Sequence, residues 1–297
     1  MTAQTTTNSA TTQARSVQRV VGAQATQDGA GVRLMRAMGH QRHLRLDPFL
    51  MLDAFSSDDP DDYIAGFPPH PHRGFETVTY IVDGHMRHKD HLGNEGDLQA
   101  GGVQWMTAGR GIIHEEMPQQ ENGLLRGFQI WLNLPAKDKM QPAHYEDIPA
   151  DSMPTQALPG DGFIKLIAGT LPHGETSIQA PVQGNPATDP VIADVRIGAG
   201  QQLDIALPQT HQALVYVFEG ALQVAGQDVS SQYSVWFENE GDHLALAAAD
   251  SQHPVRFLLL AGKPLNEPIA QYGPFVMNTQ EEVEQALRDY RDGVLTK

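Results

Sequence analysis

TVTYIVDG, residues 77–84, and ALVYVFEG, residues 213–220, are the two stretches on which the fold turns. Each is a run of β-branched, aromatic and other apolar residues that stops at a glycine, the pattern of a half-buried or core strand entering a turn. Each also places a tyrosine four residues before that glycine and an acid directly before it. A second apolar, tryptophan-bearing stretch follows each, VQWM at 103–106 and SVWF at 234–237. Two copies of one β unit, at roughly 45–135 and 180–262, explain the match most economically.

The rest of the chain agrees. Twenty-eight glycines and twenty prolines punctuate short runs, among them LLRGFQIWLNL (124–134), FIKLIAG (163–169), ALQVAG (221–226), YSVWF (233–237) and VRFLLLAG (255–262). Helical signal is nearly confined to NTQEEVEQALRDYRDG (278–293), with Asn278 or Thr279 as cap, acids in the first turn, Val283, Leu287 and Tyr290 along one face, and Gly293 as the stop. The expected organisation is a disordered tail over 1–16, a first β domain over 17–135, a linker over 136–160 carrying Pro142, Pro149, Pro154 and Pro159, and a second β domain with the terminal helix over 161–297.

Composition removes several functions. A formal net charge of −16 argues against broad binding to a phosphate backbone, so no direct nucleic-acid partner is expected. One segment differs: between residues 15 and 45, Arg15, Arg19, Arg33, Arg36, Arg42 and Arg45 meet a single acid, Asp28, and the segment reads as a solvated strand face. Without cysteine there is no disulfide and no thiolate, and any metal must be held by His, Asp or Glu. The opening MTAQTTTNSATTQARS has no apolar core segment and no later stretch is long enough to cross a bilayer as a helix, so no membrane partner is expected and the cytoplasm is the default location.

Among thirteen histidines, His40, His43, His144, His173, His211, His243 and His253 are isolated and need no special role. His85, His88 and His91, in HMRHKDHLGNEGD, are spaced by three and read as an exposed hairpin connection. HPH at 70–72 is different. In a strand, His70 and His72 point to the same face, and Pro69 and Pro71 restrict the backbone to extended conformations. Downstream, HEE at 114–116 offers His114 and Glu116 with the same spacing while Glu115 points away. Three imidazoles and a carboxylate suit a divalent transition metal such as iron with open positions, and zinc, nickel, manganese and copper fit chemically too. Glu76 competes with Glu116: it shares parity with His70 and His72, although Gly74 can bend the strand between them. Spacing leaves the two carboxylates even.

DPFLMLDAF (47–55), HPHRGFETVTY (70–80), VQWMTAGRGIIHEEMP (103–118), GFQIWLNLP (127–135) and GPFVMNTQEEVEQALRDYRDG (273–293) together resemble the pirin family, over roughly residues 17–293. The resemblance implies an all-β bicupin: two antiparallel barrels of the double-stranded β-helix (jelly-roll) type with a C-terminal helix. It implies one metal, usually Fe(II), in the N-terminal barrel, on His70, His72, His114 and Glu116, and it is what selects Glu116 over Glu76. Laying Gly84 on Gly220 carries His70 and His72 onto Ala206 and Pro208, and laying Trp105 on Trp236 carries His114 and Glu116 onto Ala245 and Ala247, so the second barrel is expected to be metal-free. Members of the family can open flavonols such as quercetin with O₂, which implies an aromatic small-molecule substrate and a quercetin 2,3-dioxygenase-like activity in which Glu116 also serves as general base. Members are also described as co-regulators, which implies an iron-dependent redox sensor acting through a protein partner.

Overall fold

The computed structural model describes residues 12–297 apart from 42, 174 and 175, together with the backbone but not the side chain of His173. Most of the segment expected to be a tail, and Arg42, lie outside the described residues. TVTYIVDG becomes the strand Phe75–Asp83 and ALVYVFEG the strand Gln212–Glu219. Gly84 and Gly220 follow them at φ +98° and +71°, the left-handed region in which a side chain would be strained. The repeat extends to register: Val78 lies opposite Trp105 in one unit and Leu214 opposite Trp236 in the other. Each unit builds one seven-stranded and one four-stranded sheet, and every strand pair in them is antiparallel. The chain is therefore an all-β double barrel with one C-terminal helix.

Strand alternation decides what each face meets. Val78, Tyr80 and Val82 turn to the second barrel and share one core with Phe128, Ile130, Leu214, Tyr216, Trp236, Leu258 and Leu260. The opposite parity of the second unit, including Val215, Val217, Val235, Phe257 and Leu259, fills that barrel's own interior with apolar side chains. Polar groups cross the joint as well, among them Arg126 pairing with Glu219 and Lys165 donating to the Gly101 carbonyl. Tyr80 donates its hydroxyl to Asp194 at 2.6 Å, and Arg256 grips the same fully buried carboxylate through two N–H donors at 2.9 and 2.6 Å.

Three stretches are used differently from expectation. The strand Val17–Gly22, counted with the first domain, pairs with Tyr233–Phe237 and so completes the second barrel's sheet. Just before it, the buried Arg15 donates to the Pro208 and His211 carbonyls. The proline-rich stretch 136–160 contains strands: His144–Ile148 adds to the first barrel beside Val103–Thr107, and Thr155–Leu158 adds to the second beside Gly162–Ala168. Its prolines bracket those edge strands, where a missing N–H does not break a ladder. From the same stretch Lys139, 1% exposed, donates to the carbonyls of Gly74 and Val276 and to the Asn133 side chain, tying the C-terminal segment to the first barrel.

The helix runs Gln280–Arg291, with Thr279 and Glu282 forming a capping box. Its buried face carries Val283 and Ala286, whereas Tyr290 is 43% exposed, so the packed stripe is narrower than the spacing of Val283, Leu287 and Tyr290 suggests. Among the described residues no helix is long and apolar enough to cross a membrane.

Most of the described arginines of 15–45 are engaged within the chain rather than forming a solvated face, and Arg33 stays exposed. Arg15 is buried, Arg19 lies over the Trp236 ring, Arg33 pairs with Asp62, Arg36 with Asp53 and Asp28, and Arg45 donates to Gln271. Sequence proximity to one acid concealed these partners, most of which lie far along the chain.

Candidate metal centre

Gly74 settles which sheet each candidate joins. It sits at φ +90°, and a Cβ there would come within 2.1 Å of the Val276 carbonyl oxygen. The chain turns at this glycine. His70 and His72 end the strand Phe67–His72 in the four-stranded sheet, while Glu76 opens Phe75–Asp83 in the seven-stranded one. The parity that linked Glu76 to the histidines is broken by the bend. Glu76 instead accepts from Thr107 Oγ1 at 2.7 Å and Trp105 Nε1 at 3.2 Å, and it belongs to neither group of clustered ligand atoms.

The strand Ile112–Pro118 pairs with Phe67–His72 so that His114 lies directly opposite His70. His70, His72 and His114 offer ligand atoms within 4.8 Å of one another, with ring centroids 4.3 Å apart for His70 and His114 and 4.9 Å for His72 and His114. Alternation turns Glu116 inward with His114 and leaves Glu115 half-exposed. Glu116, 2% exposed, falls within the same limit of His114 in an overlapping group. Thr79 Oγ1 donates to Glu116 Oε1 at 2.9 Å, and Gln129 Nε2 approaches both carboxylate oxygens at 3.3 and 3.2 Å.

The donor atoms fit a metal. Both ring nitrogens of His72 and Nε2 of His114 are buried without a hydrogen bond of ordinary geometry, an arrangement that costs free energy unless something else takes up the lone pairs. Burial pushes the pKa of both histidines well below the usual range, reinforced at His72 by His70 and at His114 by His72, His70 and His88. At His72 the Pro274 carbonyl pulls the other way, more weakly. Neutral imidazoles are the ligand form. Burial raises the Glu116 pKa, opposed by His70, Thr79 and Gln129.

His88 was passed over in the sequence. HMRHKD is not an exposed connection but the strand His85–Asp90, and within it Met86 and His88 point inward. His88 is 1% exposed, its Nδ1 lies 3.3 Å from His114 Nδ1, and it joins His114 and Glu116 in the second group. The inward Met86 two positions earlier was the available signal; spacing by three drew attention to a helical reading instead.

His70, His72 and Glu116 open onto a cavity of about 580 Å³, walled by Met51, Phe67 and Trp131 and edged by Arg36, Asp53, Gln129 and Gln271. That size lies within the ~300–1,000 Å³ usual for small-molecule sites. A larger cavity of about 780 Å³ lies at the joint of the barrels beside Phe128, Tyr216 and Phe218, but no His, Asp or Glu lines it. Chemistry, not size, picks the first. In the second barrel the register departs from the sequence offsets, with Ala206 opposite His243 rather than Ala245, and among the described residues no group of clustered ligand atoms lies there.

The pirin family model matches residues 31–132, and the model of the pirin C-terminal cupin domain matches 192–296. A Pseudomonas aeruginosa protein named "Putative quercetin 2,3-dioxygenase PA3240" is 53% identical over 271 residues, covering 90% of this chain and 93% of its own length. A pirin-like protein of Caulobacter vibrioides is 45% identical, covering 94% of this chain and 98% of its own. Among solved structures, a quercetin 2,3-dioxygenase from Acinetobacter baumannii superposes with a TM-score of 0.86 at 33% identity, covering 95% of this chain and 99% of that one. With both domain models matched in order and full-length relatives well above 30% identity, the chain belongs to the pirin family of bicupins.

Proposed function

We propose that the protein is a metal-dependent dioxygenase that opens an aromatic, flavonol-like substrate with O₂, using a single Fe(II) held by His70, His72, His114 and Glu116. The observation that carries this reading is the cluster of desolvated, unpartnered imidazole nitrogens beside a buried carboxylate, at the floor of an aromatic-walled cavity. The names of its relatives point the same way. When bound, the metal supplies a redox-active Lewis acid that acidifies a substrate hydroxyl and passes electrons to O₂.

The chain's own residues do the rest. Met51, Phe67 and Trp131 shape the cavity for a flat ring and exclude water from its floor. Glu116 faces the cavity and accepts the proton of the substrate's enolic hydroxyl; Thr79 and Gln129 hold its carboxylate in place for that transfer. Gln129 and Gln271 offer amides, and the Arg36–Asp53 pair a fixed charge arrangement, to phenolic hydroxyls further from the reacting centre. The rival reading, a redox-sensing co-regulator acting through a protein partner, rests on the locally basic segment 15–45, where Arg15, Arg19 and Arg36 are engaged within the chain and Arg33, paired with Asp62, stays exposed.

The test is oxygen uptake by Fe(II)-loaded protein on addition of quercetin. Flavonol-dependent uptake is expected, falling about 10²-fold or more in Glu116→Gln, the usual scale for losing a positioned base. Activity that survives both Glu116→Gln and His70→Ala would reject this site.

A further inference from the structure

We propose that the C-terminal segment 270–295 is a strap that completes the first barrel's metal cavity, and that Arg73 is the positioning residue that fastens it to both histidine-bearing strands. The inference rests on the metal reading above for its purpose, while its geometry stands apart from any metal.

The sequence places Arg73 between His72 and Gly74, the glycine at which the chain turns. A guanidinium offers five N–H donors in a fixed plane, so one buried arginine can join several segments at once. Arg73, 4% exposed, does this. Its Nε donates to the carbonyl of Arg110, just before the strand Ile112–Pro118 that carries His114 and Glu116. Its Nη1 donates to Asp289 Oδ2 on the C-terminal helix at 2.7 Å, and its Nη2 to the Leu295 carbonyl at 3.0 Å. The backbone adds a parallel bridge to Phe275, in which the Arg73 N–H donates to the Pro274 carbonyl at 3.3 Å and the Val276 N–H to the Arg73 carbonyl at 3.0 Å.

The strap lies too close to these strands for side chains to intervene. A Cβ at Gly111 would fall 2.3 Å from the Leu295 carbonyl oxygen, much as one at Gly74 would strike that of Val276. Lys139 pins the same place through the Gly74 and Val276 carbonyls. Val276 packs with Leu50, Phe75 and Trp131, and Phe75 and Trp131 are the rings against which His72 lies. Further along, Gln271, Gly273 and Pro274 form part of the cavity wall. A segment that follows the second barrel's last sheet strand, Val255–Gly262, thus finishes the site of the first. Arg73 itself does not line the cavity and acts through the strap and the strands it joins.

The experiment is amide hydrogen exchange on chelator-treated, metal-free protein, with parallel chelator competition for Fe(II) or Zn(II), for the wild type, Arg73→Met and Asp289→Ala. Arg73→Met removes the three guanidinium contacts. Asp289→Ala alters a partly exposed helix position and leaves Arg73 in place, which keeps the measurement decisive if Arg73→Met does not fold. Exchange should rise about 10-fold or more at the amides within 70–76, 110–114 and 270–295, the scale of losing a hydrogen bond to a charged group, while Gln212–Glu219 and Val255–Gly262 keep their wild-type protection. Metal binding should weaken about 10–100-fold in Arg73→Met, the scale for removing a group that orients a ligand. Asp289→Asn, which keeps an oxygen acceptor for Arg73, should recover most of the protection lost in Asp289→Ala. A uniform rise across both barrels would show that Arg73 adds only general stability and would overturn the proposal. Unchanged exchange at the histidine strands, or loosened strands with wild-type metal affinity, would overturn it equally. A wild type that binds no metal while the variants show the local pattern would support the strap and refute the metal reading, which separates the two failures.

Discussion

Replacing His72 by leucine should abolish metal binding while leaving the metal-free protein as stable as the wild type or more so. His72 is 2% exposed, packed edge-on against Phe75 and Trp131, and neither of its ring nitrogens makes a hydrogen bond of ordinary geometry. A buried polar atom left unsatisfied costs about 1–3 kcal/mol. Leucine removes those atoms and keeps most of the volume, so the metal-free protein is expected to shift between zero and about 3 kcal/mol toward greater stability in urea unfolding. Flavonol-dependent oxygen uptake should fall to background, because the change removes a ligand outright rather than a support worth about 10–100-fold. A metal-free variant destabilised by several kcal/mol would show that the imidazole serves the fold.

The opposite behaviour is expected at the joint of the barrels. Asp194→Ala should lower stability by about 3–5 kcal/mol, the cost of leaving a buried ion pair with one partner. Asp194 has no exposed surface, and its loss strands the Arg256 guanidinium and the Tyr80 hydroxyl between two apolar sheets. Arg256 has a second acid in Glu219, but at 3.5 Å and partly exposed it compensates little. The double change Asp194→Leu with Arg256→Met should recover most of the loss, since replacing both members of a buried pair by apolar groups is often neutral. Denaturant titration reads both. An Asp194→Ala protein within about 1 kcal/mol of wild type would mean that the joint holds without the buried Tyr80–Asp194–Arg256 group.

The β architecture was legible because two faces of each barrel strand are buried for different reasons, and alternation reports both. Tyr80 and Tyr216 marked equivalent positions, and the structure puts both in the shared core between the barrels. The pairs His70/His72 and His114/Glu116 were legible because i and i+2 share a face in any strand. Glu76 was ambiguous because parity assumes an unbroken strand, and the turn at Gly74 depends on Val276, some two hundred residues away. His88 escaped notice for a related reason: its place beside His114 and Glu116 comes from cross-strand registers, opposite both Gly96 and Glu116, that no local pattern specifies. The strand swap at Val17–Gly22 is likewise a long-range choice, made by pairing with Tyr233–Phe237.

One barrel is expected to hold one metal while its structural repeat holds none. The direct measurement is metal content per chain, by elemental analysis of protein loaded with Fe(II) and freed of loose ions, for the wild type and for His72→Leu. The expected values are one equivalent and none. Two equivalents in the wild type, or an undiminished equivalent in His72→Leu, would overturn the single site on the first barrel's histidines.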